Sequence, residues 1–254
     1  SLLIQESVMK HLGLKAAEVT SQIVQRDRYA ELVSVFAIIG SSLDKFATEI
    51  RNLQRPEIDE LAEPFVEGKQ VGSSAMPQKR NPWRSENISS LARMERSLVS
   101  PALESIVTWH ERDMSQSATE RFVIPESFII LDHMLNSMIR ILDGLRVNEK
   151  GMLENLMKFK DPLMSESVLI SLVNKGMPRQ EAHSLLQKLV FESQRKYVNF
   201  GETLKQDPVV AKYLTKVELD SALDPNGYLG MSKELVDSAV EKATSERRVR
   251  GLAA

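Results

Sequence analysis

From Lys15 to about Arg55 the chain contains no proline and a single glycine, Gly40. Apolar residues Val19, Ile23, Ala30, Val33 and Ala37 recur there at spacings of three, four or seven, the signature of one helical face. The pattern predicts one helix of about forty residues, some ~60 Å at 1.5 Å per residue. Around Val35 to Ile39 it is apolar on every side, which predicts burial inside a bundle. A helix of this length exceeds the ordinary globular one and points to a long bundle, of a kind that subunits share.

The flanking segments read as helices too. Leu2, Leu3, Gln5, Val8, Met9 and Leu12 fit one face that ends at Gly13. Pro56 closes the long run, and an acidic stretch leads to a breaker-rich loop, residues 68–82. Trp83 to about Thr108 is helical again, with Ile88, Leu91, Met94, Leu98, Leu103 and Val107 in one stripe and a kink expected at Pro101. The segment WHERDMSQSATER (Trp109–Arg121) reads as a polar interruption before a fourth helix, Phe122–Leu145. After Gly144 the elements shorten. Asn148 caps a helix to about Phe159 that Asp161-Pro162 breaks, and Gly176 stops the next helix. Pro178 opens another helix, and a last one starts at Ser232. No internal repeat and no period-2 strand pattern is present. The expected fold is all-α: a long-helix bundle over residues 1–145, then a small helical domain over 146–254.

With 42% hydrophobic and 27% charged residues the chain is an ordinary globular composition. A formal charge of -2 argues against a general nucleic-acid or membrane-surface role. There is no cysteine, so disulfides and thiolate chemistry are excluded and a reducing, cytoplasmic setting is expected. No unbroken apolar run reaches the ~18 residues of a membrane span. The chain starts without Met and directly in an amphipathic pattern, as expected of a piece that begins inside a helix.

Two segments carry chemistry. The first is GSSAMPQKRNPWRSE, Gly72 to Glu86. It matches neither a phosphate loop nor a nucleophile elbow. Its hydroxyls, Ser73 and Ser74, lie close in sequence to Lys79, Arg80 and Asn81. Fixed cations and amide dipoles favour an alkoxide, so a serine here could take a proton. The same groups could bind a carboxylate-rich substrate and hold charge that builds on it. The plainer alternative is a connecting loop with a solvated basic patch. The second segment is Trp109–Arg121. Arg112 and Arg121 with Ser115 and Ser117 make an anion-binding set, because arginine forks pair with carboxylate or phosphate. Its plainer alternative is a helix cap with ion pairs to Glu111, Asp113 and Glu120. On residue types alone both readings of each segment stand. The histidines His11, His110, His133 and His183 are scattered without metal-ligand spacing, and neither metal nor cofactor is expected.

GSSAMPQKRNP resembles the signature segment of the fumarase/aspartase superfamily. With Ala75, Arg80 and WHERDMSQSATER, the chain is similar to the adenylosuccinate lyase family within it. The resemblance spans the whole chain, and SQIVQRDR (Ser21–Arg28) is similar to the family's glutamine-containing segment. It implies the following roles. Ser73 is the general base that removes the Cβ proton of a succinyl group. Ser74 and Met76 belong to the substrate-binding loop. Lys79 and Asn81 hold the carboxylate as it becomes an aci-carboxylate, and Glu86 supports the loop. Gln22 contacts the succinyl or ribosyl part, and Arg112, Ser117 and Arg121 hold the nucleotide and its phosphate. The implied reaction is an anti β-elimination releasing fumarate, from adenylosuccinate to give AMP and from SAICAR to give AICAR. The resemblance also implies a homotetramer whose sites draw on three subunits. The family's N-terminal domain, with its general-acid histidine and a further substrate-binding histidine, has no counterpart in this sequence, so the chain alone is expected to be inactive. Two alternatives stand beside this: 3-carboxy-cis,cis-muconate cycloisomerase, against which Ser117 and Arg121 argue, and a non-catalytic helical oligomerisation module of the same superfamily.

Overall fold

The computed structural model describes residues 1–65, 75–76 and 78–251. It is all-α apart from one pair of two-residue strands. The chain divides into two compact units, Ser1–Met152 and Leu153–Ala254; the sequence places the boundary between residues 145 and 146.

The first unit opens with α1 (Leu2–Leu12), which ends as expected where Gly13 turns left-handed at φ 67°. None of its residues is buried. The long helix α2 is Asp27–Leu53, 27 residues and about 40 Å, not the expected forty. Residues 14–26 leave the helical path for physical reasons. Val19, Thr20, Ile23 and Val24 are β-branched and lose rotamer freedom in a helix. Ser21 Oγ donates to the carbonyls of Ile23 (3.3 Å) and Glu111 (3.0 Å), and Arg26 donates to the Val24 carbonyl at 2.8 Å. These bonds compete with the helical ladder.

Next come β1 (Leu61–Ala62), α3 (Trp83–Ser97), α4 (Val99–Glu104), α5 (Ser115–Asp143) and β2 (Arg146–Val147). The kink expected at Pro101 falls at Leu98, between α3 and α4. A proline ring collides with the carbonyl four residues back, here that of Ser97, so the helix breaks upstream of the proline. The polar segment is only partly an interruption. Asp113 accepts from the Ser115 amide at 2.7 Å and from the Trp109 amide at 2.6 Å, and α5 starts at Ser115, seven residues before Phe122.

Helices α2, α3 and α5 pack on one another. Ala30 and Val33 meet Ala102 and Val123 at one end. Leu43, Ala47 and Ile50 meet Ile88, Ala92, Met134, Met138 and Ile141 towards the other. These contacts set α3 antiparallel to α2, and α5 parallel to it. The bundle is close at Gly40, where an added Cβ would lie 3.4 Å from Glu95 Cγ and 3.6 Å from Met134 Cε. Glu95 is itself fully buried, with no hydrogen-bond partner for either carboxylate oxygen among the described residues. The all-round burial expected for Val35 to Ile39 is not met in the single chain: Ala37 is buried, but Ile38 is 66% exposed. Among the described helices α5 alone is long and apolar enough to cross a membrane by length and composition. Its buried face, Val123, Leu131, Met134, Met138 and Ile141, is the third side of this core. Beyond α5, β2 pairs antiparallel with β1, Leu61 opposite Val147 and Ala62 opposite Arg146.

Helix α6 (Glu149–Leu163) is capped as expected, Asn148 Oδ1 accepting from the Gly151 amide at 3.1 Å. It is not broken at Asp161-Pro162. Pro162 is its penultimate residue, so only one ladder bond is lost, and the Met164 amide restores the pattern by donating to Lys160 O at 2.8 Å. The second unit continues with α7 (Ser165–Asn174), α8 (Arg179–Lys196), α9 (Phe200–Gln206), α10 (Val210–Tyr213) and α11 (Lys216–Ala222). A 3-10 turn at Pro225–Tyr228 leads to α12 (Ser232–Val249). Val168, Leu172, Ala182, Leu186, Phe200, Leu204 and Leu219 form its core.

Candidate active site

Those residues singled out in the sequence that the structure describes sit at two ends of the α2–α3–α5 bundle. At the first end are the last turn of α2, the start of α3 and the β1–β2 pair. Ser73 and Ser74 lie outside the described residues. Met76, Lys79 and Asn81 are exposed, and the Lys79 amide donates to Met76 O at 3.1 Å. The Arg80 guanidinium lies 5.0 Å from the centre of the Phe65 ring. Glu86 is exposed in the first turn of α3, its amide bonded to Pro82 O at 2.9 Å.

What ties this segment down is a pair of residues that the sequence reading passes over. Gln54, just after α2, donates through Nε2 to Arg80 O at 3.2 Å. Its Oε1 accepts from the Glu63 amide at 2.8 Å. Glu63 is 6% exposed, and its carboxylate accepts from the amides of Ser85 (2.6 Å) and Arg84 (3.3 Å). Both bonds satisfy otherwise unpaired donors at a helix start, where a negative charge is also favoured. A cap supplied from more than twenty residues upstream has no local spacing signal, which is why it escapes a reading of motifs. Gln54, Glu63, Phe65, Arg80, Asn81, Trp83 and Arg146 line a cleft of about 260 Å³ here.

At the second end are the residues before α2 and the start of α5. Ser21 bonds to the Glu111 carbonyl and Arg26 pairs with Glu120, so Gln22, exposed in the bend 21–23, is brought beside the arginine segment. Arg112 is exposed and its guanidinium contacts Met114 Sδ at 3.4 Å. Ser117 and Arg121 stand one turn apart on α5, on one face. Two of the three acids that could have neutralised these arginines, Asp113 and Glu120, are otherwise engaged. Glu120 pairs with Arg26. Asp113 binds Ser115 and the Trp109 amide, bonds that hold its carboxyl below the usual range, the Ser115 hydroxyl first among them. Neither Arg112 nor Arg121 forms an ion pair among the described residues, an arrangement open to an external anion.

The described residues of the two sets do not meet within one chain. Gln54 follows the C-terminus of α2 and Arg26 precedes its N-terminus, so about 40 Å of helix stands between them. His133 lies on α5 with Nε2 3.0 Å from Asn87 Oδ1. No group of three or more His, Asp or Glu is arranged to hold a metal among the described residues.

Two family profiles match: one described as the adenylosuccinate lyase C-terminus over residues 162–239, and one described as lyase over residues 3–94. Adenylosuccinate lyase of Pyrococcus horikoshii is 46% identical over 249 residues, 98% of this chain and 55% of that protein. The Aquifex aeolicus enzyme of the same name is 46% identical over 89% of this chain and 52% of its own length. Among solved structures, the 3-carboxy-cis,cis-muconate lactonizing enzyme from Pseudomonas putida superposes with a TM-score of 0.82 at 28% identity, over 94% of this chain and 52% of that one. A fumarate lyase from Mesorhizobium does so with 0.83 at 28%, over 93% and 52%. The chain thus spans about half the length of the relatives it matches.

Proposed function

Because this chain belongs to the adenylosuccinate lyase family of the fumarase/aspartase superfamily, we propose that it carries the carboxylate-binding and phosphate-binding parts of a C–N lyase of purine biosynthesis. The reaction is a β-elimination of fumarate from adenylosuccinate, leaving AMP, and from SAICAR, leaving AICAR. Ser73 takes the Cβ proton. The electron pair passes into the adjoining carboxylate, which Lys79 and Asn81 stabilise as the aci form. It returns to make the C=C bond as the C–N bond breaks, and the nitrogen is protonated by a general acid that lies outside this chain. Gln22, Arg112, Ser117 and Arg121 hold the nucleotide, with the arginines on its phosphate.

The observation that carries this reading is that neither Arg112 nor Arg121, the latter one turn from Ser117, forms an ion pair among the described residues. A muconate substrate offers carboxylates but no phosphate for Ser117 and Arg121 to hold, and identity to the muconate enzyme is lower, so the cycloisomerase reading is second. We place the working site between copies of the chain in a cytoplasmic homotetramer. The separation of the two sets by about 40 Å in one chain supports this, as do the exposed apolar residues Ile38, Phe46, Phe128, Ile129 and Ile139 on α2 and α5.

The test is fumarate release from adenylosuccinate by this chain mixed with the N-terminal half of the Aquifex aeolicus relative. Activity should need both pieces and vanish with Ser73→Ala. Arg121→Ala should raise KM for adenylosuccinate tenfold or more and leave the dephosphorylated substrate within threefold. Wild-type rates with Ser73→Ala, or equal losses on both substrates with Arg121→Ala, overturn the reading.

A further inference from the structure

We propose that Gln54 and Glu63 are positioning residues that hold Asn81 in register for a substrate carboxylate, an inference that rests on the elimination reading above. The geometry is a bracket. On one side of Asn81 the carbonyl of Arg80 is held by Gln54 Nε2 at 3.2 Å. On the other, the amides of Arg84 and Ser85 are held by Glu63 at 3.3 and 2.6 Å. The two arms of the bracket are themselves joined, since Gln54 Oε1 accepts from the Glu63 amide at 2.8 Å. Between the anchored points Pro82 has its φ set at -78° by its ring. The backbone that carries Asn81 is therefore tied within one residue upstream and three downstream.

The chemistry of Glu63 fits positioning better than charge pairing. It is 6% exposed and forms no ion pair among the described residues. Its compensation is the pair of helix-terminal amides and the positive end of the α3 dipole. Helix α3 has no side-chain cap from its own N-cap residue, because that residue is Pro82. The remote carboxylate thus does two things in one place: it ends the helix, and it fixes where the helix begins relative to Asn81. Gln54 adds a second tie at the same cleft. A ligand carboxylate gains from Asn81 only when the amide already points at it. Displacement of a binding group by about 1 Å costs on the order of 100-fold in rate.

Two measurements on the same variants decide it. In the first, backbone amide exchange is followed in this chain. Glu63→Ala should speed exchange at Arg84 and Ser85 at least tenfold and leave Ile88 and Ala92 within twofold, with Glu63→Gln recovering most of the protection at Ser85. In the second, the two-piece fumarate-release assay, Gln54→Ala should lower kcat tenfold or more with KM within threefold. Adding Gln54→Ala to Asn81→Ala should then cost nothing further, since Gln54 acts through Asn81. Unchanged exchange at Arg84 and Ser85, or losses that multiply in the double variant, overturn the proposal. If the unsubstituted pair releases no fumarate, the elimination reading fails and takes the catalytic purpose with it; the exchange result separates that outcome from a bracket that does not hold.

Discussion

Glu95 is the group in this fold whose removal should help most. It is fully buried on α3 against Gly40 of α2 and Met134 of α5, and neither oxygen finds a donor among the described residues. Burial pushes its carboxyl up from the ordinary 4.5 to about 7. At 1.36 kcal/mol per pH unit, the ionised form costs the folded state at most roughly 3 kcal/mol. Solvent screening through thin cover reduces that, so about 1–2 kcal/mol is expected. The sign follows from proton binding. Between 4.5 and 7 the folded chain keeps a proton that the unfolded chain has released, so stability falls as pH rises through that window. Below it there is no penalty, and above it the penalty is full and flat. Glu95→Met keeps the volume and removes the charge, and such exchanges are neutral or stabilising. Thermal unfolding of the two proteins at pH 5, 6, 7 and 8 isolates the term, because every other group titrates in both. The variant's advantage should be smallest at pH 5 and grow until it melts some 2–6 °C higher at pH 8. A difference that stays flat across the range, or a variant less stable at pH 8, would refute the argument.

Two further outcomes are expected. A Cβ on Gly144 would fall 2.6 Å from Pro64 Cβ, so Gly144→Ala should cost the first unit about 1–3 kcal/mol in urea unfolding by forcing the rigid ring aside. A cost below the error of the melt would show that the strand pair simply gives way. In the second unit the Glu218 carboxyl is held down to about 2, first by the Lys175 hydrogen bond and then by the Thr215 amide and hydroxyl. A lowered carboxyl contributes stability above its unfolded value that fades as pH falls towards 2. Lys175→Met should therefore flatten part of the acid dependence between pH 4.5 and 2, and identical acid profiles would sink the idea.

The features legible in the sequence are those decided within a few residues. Gly13 and Gly176 end helices, Asn148 caps one and Pro178 precedes one, because each acts on backbone groups of its own turn. Misreadings occur where a distant partner decides. Nothing local says that Ser21 will bond to Glu111, so residues 14–26 read as helix on periodicity alone. Pro162 reads as a breaker because its closeness to the helix end, where it costs one bond, is invisible until that end is known. The candidate chemistry rests on residue types in two segments, and the lack of an ion pair at Arg112 and Arg121 among the described residues bears on which reading of them holds. The separation of those segments was not legible, since a helix pattern carries no record of which end of a bundle each flank reaches. Gln54 and Glu63 escaped for the same reason: their partners lie some twenty residues or more away.

The two-residue ladder between β1 and β2 bears on the order of events when the chain folds. Leu61 meets Val147 and Ala62 meets Arg146, so the ladder closes a circuit that contains α3, α4 and the whole of α5. Contacts across so long a stretch are made after local ones, because chain entropy must be given up before they reward it. Glu63 is the next residue after the ladder and Pro64 rests on Gly144. Docking of α5 therefore adds a further tie, through residues 61–64, to the segment that carries Glu63. A chain can therefore own every helix of the first unit before the segment beside the proposed carboxylate site is tied down from both sides.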